Sequence, residues 1–167
     1  NEQSSFLFDD ANEDVRIAAW TTTPWTLPSN TALSAGPDIS YIKIKTSNPY
    51  THTPVSVVLA EALVPNWFGG KNQSTVEGQS AAFKGSKMKG IRYEPLLDFG
   101  NEIEPLLGGT DAYLVLTGDH VTTSDGTGIV HTAPSFGADD QRVAKANGVG
   151  TLTLVDQTGK FKENVGP

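Results

Sequence analysis

The chain has 167 residues, a formal charge of −7, 17 glycines, 10 prolines and no cysteine. That length suits one globular unit with a real core, and the absence of thiols excludes disulfides, cysteine nucleophiles and cysteine-ligated zinc. The acidity excludes a protein that grips nucleic acid mainly through its own basic surface; with no apolar run near the ~20 residues of a membrane span and no basic-then-apolar start in "NEQSSFLFDD", a soluble cytoplasmic protein is expected.

In chain order, "VRIAAW" reads as a strand that runs into "TTTPWTLPSNTA", where Pro24 and Pro28 stop it. The three threonines fit either a strand, through their β-propensity, or the edge of a rigid polar pocket. "YIKIKT" and "VSVVLA" read as further strands, followed by a helix in "LAEALVPNW" that ends near Pro65. "NWFGGKNQSTVEGQSAAFKGS" is rich in Gly, Ser and Gln and reads as a surface excursion. "AYLVL" and "TGIVHT" are strands, "ADDQRVAKANG" is a helix with acids at its start and Gly148 to stop it, and "TLTLVD" is a last strand. The expected class is α+β and β-rich, six or more strands suggesting a barrel or a tightly coiled sheet.

Several chemistries are excluded. His52, His120 and His131 lack the i, i+4 spacing of a metalloprotease helix, so no metal and no other cofactor is expected. "FGGKN" lacks the first glycine and the Ser or Thr of a phosphate loop, and no G-x-S-x-G elbow is present. Asn72 in "NQS" matches a glycosylation pattern that a cytosolic chain has no use for. Lys84, Lys87, Lys89 and Arg92 form one local basic segment, read as a solvated loop face.

Two segments remain, the threonine stretch and "GDHVTTSDGTGIVHTAPSFGADDQRVAKANG". In the second, a strand ending at His131, a sharp turn and a helix start bring backbone N–H groups and carboxylates to one place. Taken singly, paired acids such as Asp139 and Asp140 are more often helix caps than ligands, and His131 is more often a satisfied strand histidine.

"WTTTPWTLPSNTAL", followed about a hundred residues later by "GTGIVHTAPSFGADD", resembles the inserted editing domain (connective polypeptide 1) of isoleucyl-tRNA synthetases. "MKGIRYEPLLDF" and "GDHVTTSDGTGIVH" fit the same family, so the resemblance runs from about Val15 to Asp156. "TTTPWTLP" in place of the "TTRPET" of valyl and leucyl relatives favours the isoleucyl branch, and the wording around "HTAPSFGADDQRVAKANGVG" looks eukaryotic-like. The resemblance implies that residues 1–167 are a single editing domain excised from a larger class I synthetase, a compact β-barrel-like core with peripheral helices, monomeric by itself, with termini close together. Its partners would be the rest of the parent enzyme in cis and the 3′-terminal adenosine of tRNA(Ile) carrying valine, the parent holding most of the tRNA.

Hydrolysis of that ester, to keep isoleucine decoding faithful, is the implied activity. Asp140 matches the family's aspartate for the substrate ammonium, leaving Asp139 to capping or surface duty. Thr22 and Thr23 are the implied catalytic hydroxyls that orient water or ester, Thr23 also binding substrate, while Thr21 is structural. Trp25 is a candidate wall of the adenosine site, and Asn30 a candidate holder of the terminal nucleotide, a turn-capping asparagine being the equal alternative. His131 is the candidate wall that excludes the larger side chain. Two further readings stay open: a module that binds aminoacyl-adenosine with little turnover, and the editing domain of a valyl or leucyl synthetase.

Overall fold

Residues 1–71, 73–97 and 106–165 are described by a computed structural model. In chain order the strands are β1 (Val15–Ile17), β2 (Ala32–Ala35), β3 (Ser40–Ser47), β4 (Pro54–Ala60), β5 (Gly78–Gln79), β6 (Phe83–Lys84), β7 (Leu114–Thr117) and β8 (Ile129–Thr132), with helices α1 (Val64–Trp67) and α2 (Ala138–Ala146).

The longest pairing is the antiparallel β3–β4 hairpin, in register from Tyr41 opposite Ala60 to Ser47 opposite Pro54. β1 adds parallel to β4, and β5 and β6 add antiparallel to β3, giving a first sheet in the order β1-β4-β3-β5 with β6 beside β3. The second sheet has the order β7-β2-β8, with β2 parallel to β7 and antiparallel to β8. Leu33, Tyr41, Val58, Met88, Val115 and Ile129 fill the space between the sheets. The buried Tyr41 hydroxyl ties the sheets together, accepting from Gly36 N–H at 2.8 Å and donating to Gly128 O at 2.5 Å.

This is the expected β-rich α+β class, but among the described residues the sheets do not close into a barrel. They meet through side chains and single backbone bonds such as Ala60 N–H to Thr127 O (2.8 Å), not through a continuous ladder.

Four elements differ from the sequence reading, the first being β2, which it did not contain. "TLTLVD" is not a ladder strand: Leu152 and Leu154 are fully buried in alternation, yet among the described residues only Thr151 and Val155 make isolated bridges and no neighbouring strand runs alongside. Pro65 opens α1 instead of ending a helix, in keeping with its missing N–H and fixed φ; the residues before it, Glu61–Leu63, are a 3₁₀ turn. The expected surface excursion returns to the first sheet as β5 and β6, and Asn72 lies outside the described residues.

α2 behaves as read. Val143 and Ala144 are its buried face and pack on Ala32 and Leu116 of the second sheet, and Gly148 follows its C-cap with φ +70°, where a side chain would be strained.

Candidate active site

The threonine stretch is hooked onto β8 by Trp20. Its N–H donates to Ile129 O at 2.8 Å and its carbonyl accepts from His131 N–H at 3.1 Å, a parallel bridge one residue long. The hook requires the glycines of "SDGTG". Gly126, at φ +72°, lies where a Cβ would come within 2.5 Å of the Trp20 ring, and Gly128, at φ +74°, where it would come within 2.4 Å of Ala60 Cβ. On its other face Trp20 packs against Trp67 at 5.6 Å between centroids.

Beyond Trp20 the chain leaves the sheet. The Thr21 hydroxyl accepts the Thr23 N–H at 3.1 Å, and a 3₁₀ helix runs over Pro24–Ser29 with Pro24 at its first turn. So the extended strand breaks before the threonines can alternate. Thr22 and Thr23 are exposed, and among the described residues the Thr22 hydroxyl makes no hydrogen bond.

These turns form one side of a cavity of about 300 Å³, whose other side is His131 and Val130 of β8 with the "APSFGADD" loop. Asp140, third residue of α2, reaches back across that loop. Its Oδ2 accepts the Ala133 N–H at 2.8 Å, closing the turn and aiming the carboxylate at the cavity. It is the single formally charged group of the lining. Asp139, one residue earlier, is exposed and paired with Arg142 at 3.3 Å. Trp25 is 56% exposed, and its ring meets Phe136 of the loop edge-on at 5.1 Å, so the two sides touch at the rim.

His131 is 5% exposed, and both ring nitrogens are engaged: Nε2 lies 2.9 Å from Thr26 Oγ1 and Nδ1 2.8 Å from Asn30 Nδ2. Burial lowers its pKa, with the nearby Asp140 charge and the Thr26 contact pulling the other way. The ring is therefore neutral at pH 7 and offers no free nitrogen for proton transfer.

Asn30 stands behind His131 and is not part of the cavity lining. Its amide N–H groups reach His131 and Ala32 O (2.8 Å), and its Oδ1 accepts from the Tyr93 hydroxyl at 2.6 Å. Its amide is engaged inside the protein, and the cavity lining does not include it, so the direct nucleotide contact expected for it is not made from this cavity wall. Asn30 also ends the 3₁₀ helix as its C-cap, the alternative role.

Thr22, Thr23, Trp25, His131 and Asp140 are thus brought together, and Asn30 sits one layer back. Thr26, Phe136 and Tyr93 belong to the site and were not read as such. Thr26 carried a local signal, a hydroxyl three residues after Thr23 across a proline-started turn, where it donates to Thr23 O at 2.9 Å.

A larger cavity, about 520 Å³ between Trp67, Phe68, Val57 and Leu59, offers less chemistry. Its single charged lining group, Arg16, is already paired with Asp14 at 2.8 Å. The basic segment is also largely committed: Lys84 donates to Asp38 O, Lys87 sits 4.1 Å over the Phe6 ring, and Arg92 pairs with Asp111 at 2.8 Å.

The two sheets, the hooked threonine turn and the loop closed by an aspartate have the fold of the CP1 editing domains of aminoacyl-tRNA synthetases. The P. falciparum cytosolic leucyl-tRNA synthetase editing domain matches 89% of this chain and 57% of its own at TM-score 0.63 and 13% identity. GlLeuRS-CP1 matches 87% of this chain and 52% of its own at TM-score 0.61 and 20% identity. The homologues in sequence are isoleucine–tRNA ligases: that of Porphyromonas gingivalis is 46% identical over 165 residues, covering 91% of this chain, and that of Cytophaga hutchinsonii 43% identical over 175 residues, covering 92%. The ligase of Clostridium tetani is 42% identical over 155 residues, 93% of this chain. The chain spans only 13% to 15% of the length of these relatives. All three are bacterial and lend the eukaryotic-like reading no support. No family model matches the chain.

Proposed function

We propose that the chain is a single editing domain, residues 1–167, of an isoleucine–tRNA ligase, and that it hydrolyses the ester between valine and the terminal adenosine of tRNA(Ile). The observation that carries this reading is a cavity whose one formal charge, Asp140, faces exposed threonine hydroxyls. An aminoacyl ester has one fixed cation, its α-ammonium, and a carboxylate next to the reacting carbon anchors it with a charge-assisted hydrogen bond. Water adds to the ester carbonyl. The acyl–oxygen bond then breaks, the ribose oxygen takes up a proton, and free valine and tRNA leave. Thr22 and Thr23 hold the water or the developing oxyanion, where a preorganised donor acts most strongly. His131, neutral and fully bonded, limits the side chain by shape.

Isoleucyl-tRNA synthetase is itself the standard case of why a second site is needed: one methylene in an apolar pocket is worth only about 1–3 kcal/mol. A sieve that admits valine and rejects isoleucine multiplies that discrimination. On this reading the rest of the ligase holds the tRNA in cis, which accords with a net charge of −7, and the domain is monomeric and cytoplasmic. Among the described residues no helix is long and apolar enough to cross a membrane.

The test is direct. The chain is incubated with valyl-tRNA(Ile) and with isoleucyl-tRNA(Ile), each against a no-protein control; selective loss of the valyl ester is expected. The absence of a free basic nitrogen in the cavity favours one competing reading, a module that binds aminoacyl-adenosine without turnover. Tight binding of a non-hydrolysable valyl-adenosine amide, with valyl-tRNA decay at the control rate, would select it.

A further inference from the structure

Behind the cavity runs an ordered series of hydrogen bonds whose direction is fixed at its outer end. The Tyr93 hydroxyl lies 2.6 Å from Asn30 Oδ1, and a carbonyl oxygen can only accept, so the phenol donates. Burial holds the phenol protonated by raising its pKa far above the usual value. With Oδ1 so engaged, the Asn30 NH₂ group points at Ala32 O and His131 Nδ1, both 2.8 Å away. The reverse amide orientation would set Oδ1 against the Ala32 carbonyl. Nδ1 must then be the bare, accepting nitrogen, and the proton of the neutral ring sits on Nε2. Nε2–H donates to Thr26 Oγ1 at 2.9 Å, and Thr26 donates onward to Thr23 O at 2.9 Å. The Asn30 NH₂ group also lies 3.4 Å from Thr132 O, a longer contact than the two it makes at 2.8 Å.

Tyr93 is itself placed by backbone. Its N–H donates to Tyr113 O at 3.1 Å and the Tyr113 N–H to Thr31 O at 2.7 Å, while Arg92 bridges Leu114 at the edge of β7. The Tyr93 ring also meets the Tyr113 ring edge-on at 6.2 Å. The second sheet thus carries Tyr93 on one flank, His131 on the other and Asn30 between them.

We infer that Tyr93 is a positioning residue for the cavity: through Asn30 it locks His131 as the neutral Nε2–H tautomer in one ring orientation, and so sets both the sieve wall and the Thr23 backbone beside it. This deepens the proposed function and rests on that reading for its effect on selectivity. Without the phenol, Asn30 Oδ1 loses its protein donor, the amide loses its anchor, and the histidine exchanges tautomers and tilts.

The experiment uses the chain labelled with ¹⁵N and the variants Tyr93→Phe and Asn30→Asp. In the ligand-free wild type, the His131 Nδ1 resonance should be that of a bare nitrogen and Nε2 that of a protonated one; the reverse pattern overturns the inference. In Tyr93→Phe the two resonances should move toward each other, and Asn30→Asp, which replaces the N–H donor by an acceptor, should place a proton on Nδ1. The ratio of valyl to isoleucyl ester hydrolysis should fall about tenfold in Tyr93→Phe, the worth of one buried hydrogen bond, by a gain on the isoleucyl ester. A merely destabilised protein would lose both rates together. An unchanged ratio overturns the role of Tyr93 whatever the resonances do. If the wild-type chain hydrolyses neither ester, the proposed function falls, and the nitrogen resonances judge the wiring alone: unchanged resonances in Tyr93→Phe then overturn it.

Discussion

Thr22 and Thr23 stand in solvent on one side of the cavity, while the neighbouring Thr26 and His131 are 3% and 5% exposed and fully hydrogen-bonded. Both sides draw on the same residue types, hydroxyls and a titratable group, yet they do opposite jobs. Exposed hydroxyls with unused bonding capacity can exchange water for a ligand atom at little cost. Buried and saturated ones cannot, since each unmade bond there costs about 1–3 kcal/mol, so they keep a shape. Asp140 combines the two roles: Oδ2 closes the loop onto Ala133 N–H, and among the described residues Oδ1 makes no protein hydrogen bond.

The largest effect that would break this comparison is expected at Asp140. Asp140→Ala removes the ammonium partner and the loop bond together, and deacylation of valyl-tRNA should fall about 100-fold or more, since truncating one partner of a desolvated charge pair costs about 2–5 kcal/mol. Asp140→Asn retains an oxygen for Ala133 N–H but loses the charge. If Asn restores the rate, the role of Asp140 is to close the loop and not to anchor the ammonium. Asp139→Ala should leave the rate within about twofold, as expected of an exposed ion pair.

Next comes the open side. Thr22→Val with Thr23→Val keeps shape and β-propensity but deletes two hydroxyls that no core packing needs. Hydrolysis should drop about tenfold to thirtyfold, one ordinary hydrogen bond each, with the thermal midpoint shifted by no more than a few degrees. Normal hydrolysis by the double variant would make the stretch a structural turn.

How much of this was legible beforehand differs between the two sides for a physical reason. The open side is made of two segments that are each local in sequence: consecutive threonines with two prolines in one, and, about a hundred residues later, an aspartate at a helix start in the other. The buried side is assembled from residues 30, 93 and 131, and its meaning lies in pairings that depend on strand register. Asn30 therefore read as a nucleotide ligand or a turn cap, and Tyr93, although inside "MKGIRYEPLLDF", had no reading at all. β2 was missed because "TALSA" is short and small, buried on both faces and without alternation, although it is the central strand of the second sheet. The barrel expectation came from counting strands, whereas closure depends on which edges pair.

A smaller effect tests the shape-keeping side. His131→Ala opens the wall by more than one methylene, so hydrolysis of isoleucyl-tRNA should rise about tenfold, within the range one methylene commands, while Asp140 still anchors the ammonium. The variant should also lose about 2–4 kcal/mol of stability, because Asn30 and Thr26 are left with unmade bonds. Equal loss on both esters, measured side by side, would give His131 a chemical role that its saturated nitrogens argue against.

The smallest effect is one of pH, and it separates the two sides without any substrate. His131 has its folded pKa lowered, chiefly by burial, while the unfolded chain titrates near 6.5. Above about pH 6.5 both states are neutral at this ring and its contribution to stability is complete. As pH falls below that value the unfolded state takes up a proton that the folded state refuses, so stability is lost progressively down to the lowered folded pKa. The slope from this one group is at most about 1.4 kcal/mol per pH unit. Unfolding by urea at pH 8, 6.5 and 5.5 should therefore lose more stability in the wild type than in His131→Gln, whose side chain cannot titrate. The Thr22→Val, Thr23→Val variant should follow the wild-type curve, since neither residue titrates. Parallel curves for the wild type and His131→Gln would mean that the ring accepts its proton as readily when folded as when unfolded. Because Nδ1 is the acceptor of the Asn30 amide and Nε2 already carries its proton, that result would require the buried series to be broken in solution, and the contrast between the two sides of the cavity would go with it.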